Sequence, residues 1–409
     1  MCIGCPKTFP PMPLSDAVPP TDAGTHVLET NPAYSLGQLT AYFLKLGTIG
    51  FGGPVALVEY MRRDLVERRR WISESDYMDG LALSQLAPGP LAAQLAIYIG
   101  FVDYRVLGAT AAGIAFVVPS FLMVVGLGWA YVRFGGLPWM QAVFYAVGAA
   151  VIGIIALSAY RLTRRSIGRG PLLWLIWLGT ALVTVITESE EVLLFLGAGA
   201  LVWFARMTQW RSLRGRVPAL LLAPAGGAAG SGPLDPDLLW KILGFFTYAG
   251  AFVFGSGLAI VPFLYGGVVK EYGWLTDQQF LDAVAVALIT PGPVVITTGF
   301  IGFLLAGLPG AILAAAATFL PAYLLTVIPA PYFRKYGKRP SVAAFVEGVT
   351  AAAIGAISGA VVVLGRRSIV DLPTAAIAVA TVLLLFRWRL PEPIIICAAA
   401  LIGLLIFPS

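Results

Sequence analysis

Two Pro-Gly-Pro tripeptides stand inside apolar stretches of this chain, and they mark where it could hold an anion. Pro88-Gly89-Pro90 interrupts the apolar residues 81–101, and Pro291-Gly292-Pro293 interrupts residues 284–305. A helix cannot continue through either tripeptide, because proline lacks a backbone donor and pushes the preceding residue toward extended conformations, while glycine permits unusual backbone geometry. Each stretch is therefore predicted to form two half-helices that meet at membrane depth.

The second half-helix of each pair is expected to begin at the break, because proline suits the first helical position and Pro90 and Pro293 stand there. The N–H groups of residues 91–93 and 294–296 would then have no partner within their helix. Such N–H groups, together with the positive end of the helix dipole, attract anions without a charged side chain. The alternative is a simple kink, since proline and glycine are frequent in membrane helices.

Side chains that can donate hydrogen bonds lie close to both breaks. Gln85 and Gln94 flank the first break, and Thr290 and Thr297 flank the second. Gln94 stands about one turn past Pro90, so it could reach the gap, and Thr297 occupies the equivalent place. The alternative is that these groups only form hydrogen bonds between packed helices.

A glycine-rich motif ending in Gly52, Gly53 and Pro54 breaks an earlier apolar stretch, and Lys45 precedes it by about two turns. A lysine within lipid costs roughly 2.5–3.5 kcal/mol, so Lys45 needs a partner, a watery cavity or a path to the headgroups. A cation beside oriented helix N-termini would suit a dianion. The competing interpretation is that Lys45 extends to the membrane surface.

Acidic residues close to these motifs offer a second kind of chemistry. Asp79 and Asp282 could carry coupling protons, although both lie near predicted helix starts, where the helix dipole favours a carboxylate anyway. Ser73 and Thr276 precede these helices as predicted N-caps, the second with Gln279 in a full capping-box pattern.

The elements that position these residues must lie in a membrane. The 409 residues are 58% hydrophobic and 12% charged, with a mean hydropathy of +0.85, which is outside the range of soluble domains. Helices are predicted because strand-like alternation is absent and the apolar stretches approach the length that crosses a bilayer. The clearest of these stretches are residues 106–132, 140–160, 309–328 and 341–364. The net charge of +6 comes from short basic clusters between apolar segments, which argues against nucleic-acid binding.

An internal repeat organises the chain. Pairing residue i with residue i+203 aligns Trp71 with Trp274, Asp79 with Asp282, and the first Pro-Gly-Pro with the second. After a one-residue deletion, Pro119 aligns with Pro321. An ordered series at constant offset predicts two homologous halves rather than chance matches.

Basic residues predict that the two halves have opposite orientations. Residues 62–70 hold five arginines, whereas the equivalent residues 265–273 hold only Lys270. Residues 334–339 are basic, whereas their first-half counterparts around Arg133 are not. Since Lys and Arg concentrate on the cytoplasmic side, the sequence predicts an all-α polytopic protein with an inverted-topology repeat of about five spans per half plus broken segments.

The predicted boundaries follow from composition. We expect a disordered cytosolic tail at residues 1–35, a first half at 36–223, a flexible linker at 224–237 and a second half at 238–409. The tail holds Cys2 and Cys5 without a second pair, and His26 is the lone histidine, so no metal site and no cofactor are predicted. The sequence is compatible with a homodimer.

On these motifs the chain resembles the chromate ion transporters, in their long form that fuses both halves. The resemblance covers residue 36 to the C-terminus and rests on Phe51-Gly52-Gly53-Pro54, Trp71, the first Pro-Gly-Pro with Gln85 and Gln94, and the second Pro-Gly-Pro. It implies efflux of chromate across the bacterial inner membrane, giving chromate resistance, with sulfate as a counter-substrate or competitor.

The sequence favours alternating access, with a tetrahedral dianion held between the two broken helices and assisted by Lys45, Gln85 and Gln94. In the second half Tyr248 replaces Lys45 and Leu288 replaces Gln85, so the first half should be more sensitive to mutation. The alternatives are a transporter or passive channel for sulfate or another small anion, and a membrane enzyme. The enzyme is disfavoured because the sequence has no redox cluster, metal cluster or dinucleotide fingerprint.

Overall fold

The computed structural model describes residues 34–50, 53–134, 138–167, 170–187, 192–209, 236–252, 257, 260–336, 340–388, 390 and 392–406. These residues form helices and connecting turns, and no β-strand occurs among them. The predicted all-α membrane class is confirmed. Most of the predicted tail and linker lies outside the described residues. Tyr34 and Ser35 nevertheless belong to the folded part, because Tyr34 is buried and Ser35 caps the first helix.

The first half contains seven α-helices and one π-helix among the described residues. In chain order they are α1 (Leu36–Ile49), α2 (Gly53–Met61) with the π-helix Arg62–Arg68, α3 (Glu74–Leu86), α4 (Leu91–Phe134), α5 (Pro138–Ser166), α6 (Pro171–Thr187) and α7 (Val192–Gln209).

The described part of the second half repeats this order. Its elements are α8 (Pro236–Ala251), α9 (Ile260–Leu264) with the π-helix Tyr265–Glu271, α10 (Asp277–Ile289), a 3-10 turn (Val294–Ile296), α11 (Thr297–Val327), α12 (Ala330–Tyr336), α13 (Pro340–Ser368), α14 (Leu372–Trp388) and α15 (Glu392–Ile406). Even the two π-helices fall at equivalent positions.

Both Pro-Gly-Pro breaks turn the chain back on itself. Residues 87–90, the first tip, separate α3 from α4, and Gly80 before the tip packs against the ring of Tyr98 after it. Residues 290–293, the second tip, separate α10 from the 3-10 turn. Tyr131 contacts Asp282 before this tip and Phe300 after it. The half-helices therefore lie side by side as two hairpins, which we call the first and second broken hairpins.

A second reversal ends each broken hairpin. α4 bends at Arg105, whose φ and ψ are 53° and −139°, and the backbones of Gly100 and Gly108 meet across this turn. α11 bends at Gly307, with φ and ψ of 61° and −149°, and Gly302 meets Gly310 in the same way. Beyond each turn a long arm runs on, to Phe134 in α4 and to Val327 in α11.

The remaining helices of each half pack mainly on helices of the other half. α5 packs on α14 and α15, while α13 packs on α6 and α7. Small residues permit these close approaches: Gly153 of α5 faces Thr381, and Gly355 of α13 faces Trp177 and Thr180. Helices in lipid associate through such small-residue contacts, because apolar burial gives them little driving force there.

Four described helices are long and apolar enough to cross a membrane, judged by length and composition. They are Leu91–Phe134, Trp139–Arg164, Val294–Phe333 and Ala343–Ser368, and four shorter apolar helices accompany them, Pro171–Thr187, Leu193–Arg206, Leu372–Trp388 and Glu392–Ile406. Each half thus shows four apolar helices of these two kinds in its described residues. The apolar stretches around both Pro-Gly-Pro motifs, predicted as broken segments, form hairpins.

Candidate functional site

The second tip contacts the long arm of the first half. The Ser120 hydroxyl donates to the Pro291 carbonyl at 2.6 Å, and the Gly292 N–H donates to the Gly50 carbonyl at 3.1 Å. Gly292 has a φ of 103°, and a Cβ there would collide with Ser120 Oγ. Only glycine combines this backbone conformation with such close contact.

The first tip contacts the long arm of the second half at the equivalent position, through Ala322 rather than through a hydroxyl. Gly89 has a φ of 143°, and a Cβ there would lie 2.8 Å from the Cβ of Ala322 and 2.6 Å from Cδ of Gln94. Ser120 and Ala322 each directly follow the paired prolines Pro119 and Pro321. The two contacts are therefore reciprocal. Gly89 and Pro90 of the first tip and Pro291 and Pro293 of the second are buried in protein, which is where irregular backbone is tolerated at membrane depth.

The bases of the two broken hairpins lie at opposite ends of the long arm of α4, residues 106–134. Near the start of its long arm, Tyr104 donates to the Tyr34 carbonyl, and Tyr34 stacks on Trp71 at 4.7 Å, beside the base of the first broken hairpin. Near its end, Tyr131 donates to Asp282, beside the base of the second broken hairpin, at 2.7 Å. The helix between these contacts covers roughly 40 Å at 1.5 Å per residue, enough to cross a bilayer.

Capping fixes where each broken hairpin begins, and both predicted N-caps are confirmed. The N–H of Asp76 donates to Ser73 Oγ at 3.0 Å, and Thr276 forms a complete capping box with Gln279. The predicted starts after the breaks are wrong by one residue. Pro90 and Pro293 precede the first helical residues, since the N–H of Gln94 bonds Pro90 and that of Ile296 bonds Pro293. The half-helix after the second break begins with a 3-10 turn. This turn uses the Ile296 N–H, which we expected to be free.

Gln94 reaches back to the first tip as predicted. Its side chain is 0% exposed, and Nε2 donates to the Pro88 carbonyl at 2.8 Å. This bond fixes the amide orientation, and Oε1 accepts no hydrogen bond from any of the residues that the structure describes. A buried acceptor of this kind is normally satisfied by a bound water or a ligand hydroxyl.

The threonines of the second tip bond to their own helices. Thr290 donates to Val286, Thr297 to Val294 and Thr298 to Val295, at 2.6, 2.7 and 3.1 Å. All three are buried. Their hydroxyl oxygens can still accept hydrogen bonds, so they offer polarity at the second tip but no donor that is free in this conformation.

The other predicted site residues lie at different depths. Lys45 and Gln85 are exposed, Lys45 on the face of α1 away from its packed residues and Gln85 on the last turn of α3. Pro88 is partly exposed, whereas Pro90, Pro291 and Pro293 are buried. Gly53 and Pro54 begin α2, and Gly52 lies outside the described residues. The structure thus places Gln94 at the first tip and each tip against the long arm of the other half, but leaves Lys45 and Gln85 at the surface.

The comparisons with known proteins agree on one family. The chromate transporter family model matches residues 37–203 and 240–404. A chromate transport protein of Cupriavidus metallidurans is 65% identical over 95% of this chain and 98% of its own length. A probable chromate transport protein of Synechococcus elongatus is 61% identical over 93% and 98%, and a chromate transport protein of Pseudomonas aeruginosa is 31% identical over 95% and 96%. No solved structure matches the chain significantly.

The chain belongs to the chromate transporter family. Its long two-domain form is confirmed, since the family match covers two segments and the relatives align over nearly their whole length. Members of the chromate transporter family are transporters rather than enzymes, and this one is a multi-pass protein of the bacterial inner membrane.

Sequence reasoning missed two residues that hold the second broken hairpin of this chromate transporter family member. Ser120 holds the second tip, and Tyr131 holds Asp282. The available signal for Ser120 was its place directly after the paired prolines Pro119 and Pro321. Tyr131 pairs with Phe333 in the repeat, and nothing in that pair indicated which partner its hydroxyl would take.

Proposed function

We propose that this protein is a secondary transporter that exports chromate across the inner membrane by alternating access between two inverted halves. The observation that carries the proposal is the reciprocal seating of the two tips, each against the long arm of the other half. Discontinuous helices at equivalent places in inverted halves are the usual site of substrate binding in such transporters. The names of the relatives supply chromate as the substrate.

The binding site in this proposal lies between the tips. The N–H groups at the start of the helix after Pro90 face the anion and place the positive end of the helix dipole beside it. Gln94 belongs to the same site, because it joins the Pro88 carbonyl while its own carbonyl needs a donor. A hydration water or the hydroxyl of a protonated oxyanion supplies that donor.

Lys45 and Gln85 act at the entrance rather than at the centre. Both are exposed, Lys45 a little more than one turn before Gly50, whose carbonyl contacts the second tip. An exposed cation there raises the local concentration of a dianion, an effect that salt screens. The proposal predicts that Lys45→Ala raises KM for chromate and weakens its dependence on ionic strength, while kcat changes little.

Inverted halves require the broken hairpins to open to opposite sides. Support comes from the contacts at the two ends of α4, where the first hairpin meets Tyr34 and Trp71 and the second meets Tyr131. The five arginines of residues 62–70 favour the cytoplasmic side for the first of these ends.

Chromate uptake into everted membrane vesicles tests the function, because an exporter in everted vesicles carries its substrate inward. The wild-type chain should accumulate chromate, and the double variant Pro88→Ala/Pro90→Ala should lose at least about tenfold in rate. Excess internal sulfate or chromate should speed uptake if exchange operates. Wild-type rates in the double variant would refute the site, and flux indifferent to any gradient or exchange partner would indicate a channel.

A further inference from the structure

Asp282 is a buried carboxylate that the binding site does not use. It lies on α10 in the second broken hairpin and is 3% exposed. Tyr131 donates to its Oδ2 at 2.7 Å, and Gln278 Nε2 donates to its Oδ1 at 2.9 Å. Burying a carboxylate in protein is costly, and ionisable residues buried within membrane helices usually serve an ion or proton pathway.

No cation compensates Asp282 among the described residues. The elements packed on α10 are α4, α5, α11, α15, the second π-helix and the 3-10 turn. Their other titratable or charged side chains include Tyr98, Asp103, Tyr104, Arg105, Arg133, Tyr145, Tyr160, Arg161, Arg164, Tyr265, Lys270, Glu271, Tyr323 and Glu392. On α10 itself, Asp277 pairs with Arg367 of α13. Tyr145 bonds Asp371, Arg161 bonds the Leu385 carbonyl, and Tyr265 bonds Asp277. Only Tyr131 and Gln278 bond the Asp282 carboxylate within the described structure, and both are neutral.

The Asp282–Tyr131 bond joins parts that must separate if the halves move. Tyr131 belongs to the long arm of the first half, and Asp282 to the broken hairpin of the second. The equivalent positions in the other half are Phe333, which has no hydroxyl, and Asp79, which is partly exposed. Among the described residues, this buried tyrosine–aspartate contact therefore occurs in only one of the two halves.

We propose that Asp282 is the proton-binding residue of the transport cycle, and that its protonation releases the second broken hairpin from the long arm of α4. The inference rests on the proposed transport function. When Asp282 takes up one proton, the carboxylate becomes a neutral acid. Its bond to Tyr131 then loses charge assistance, which makes up about half of the strength of such a bond. Proton uptake therefore lowers the barrier to hairpin movement.

Proteoliposomes that contain the full chain allow proton coupling to be measured separately from chromate binding and exchange. Two rates are measured, namely chromate accumulation driven by a pH gradient and chromate–chromate exchange without a gradient. Asp282→Asn should reduce gradient-driven accumulation at least about tenfold and keep exchange within about threefold. Asp79→Asn, the matched control in the first half, should keep its response to the pH gradient.

Tyr131→Phe provides a variant that keeps the buried carboxyl. The ionised carboxylate loses one donor, so the midpoint of the pH dependence of transport should rise by roughly 0.5–1 pH unit. If Asp282→Asn fails to fold and loses exchange as well, the pH midpoint of the Tyr131→Phe variant tests the inference instead. An unchanged midpoint overturns the inference.

Other outcomes are equally distinct. Gradient-driven accumulation by Asp282→Asn at the wild-type rate, or wild-type transport that ignores the pH gradient, overturns the proton site and leaves chromate transport standing. Absence of chromate movement in the wild-type protein refutes the proposed function itself.

Discussion

Gly292 is the residue on which contact between the second tip and the first half depends most directly. Alanine at this position would need a φ of 103° and would place its Cβ against Ser120 Oγ. We expect Gly292→Ala to lower the free energy of unfolding by about 1–3 kcal/mol. Thermal unfolding in detergent measures this. Gly244→Ala, at an exposed helical glycine with open space around it, is the control and should leave Tm unchanged or slightly higher.

Gln94 should affect transport more than stability. Gln94→Leu removes the donor to Pro88 and also removes a buried acceptor without a partner, two effects that oppose each other in folding. We expect chromate uptake to fall at least about tenfold while Tm stays within a few degrees. Gln141→Leu, at an exposed position on α5, is the control. Equal uptake in the two variants would contradict a role for Gln94 in binding.

The role of a single residue could be predicted where that residue acts on its own stretch of backbone. Pro, Gly and capping residues constrain their own backbone, so both breaks and both N-caps could be predicted from the sequence. Ser120 and Tyr131 were not predictable, because each bonds a residue more than 150 positions away. Lys45 illustrates a further limit: its charge suggested a role at the centre, whereas the packing of α1 leaves it exposed.

At the scale of elements, the N-cap of α10 determines where the second broken hairpin starts. The N–H of Gln279 donates to Thr276 Oγ1, and the Gln279 side chain accepts from the Thr276 N–H. Thr276→Ala should cost about 1 kcal/mol, because one donor of the first turn loses its partner. Thr48→Ala is the control, since its exposed hydroxyl only donates to Leu44 in its own helix. Equal unfolding temperatures for the two variants would contradict the capping role.

The start of α14 gives a pH-dependent prediction. Hydrogen bonds from Tyr145 and then from Thr374 lower the pKa of the Asp371 carboxyl below its ordinary value. A lowered pKa contributes stability above the unfolded-state pKa of about 3.9, and this contribution is lost as the pH falls through the lower folded-state value. Asp371→Asn should therefore have a lower Tm than the wild type at neutral pH. The difference should shrink in acid, and a constant difference would contradict the assignment.

The sequence predicted broken elements but not their path. Proline and glycine show where a helix ends, whereas the direction of the next helix depends on packing. Gly80 against Tyr98 and Gly100 against Gly108 produce the reversals, and such glycine contacts carry no signature at short range. For that reason the sequence predicted broken segments but not the hairpins into which they fold.

At the scale of the whole molecule, inverted halves predict opposite accessibility of equivalent positions. Arg68 and Glu271 are exposed, lie 203 residues apart and end the two π-helices. In a background without native cysteines, Arg68→Cys should react with a membrane-impermeant maleimide in everted vesicles, and Glu271→Cys should react in intact spheroplasts. Reaction of both from the same side would contradict the inverted arrangement.

The central claim is that the two tips enclose the transported anion, and cryo-electron microscopy of the purified protein in saturating chromate tests it most directly. We predict tetrahedral density between residues 87–94 and 290–294, within hydrogen-bonding distance of backbone N–H groups that follow Pro90. Density confined to the surface beside Lys45, with the two tips still in contact with Ser120 and Ala322, would contradict it.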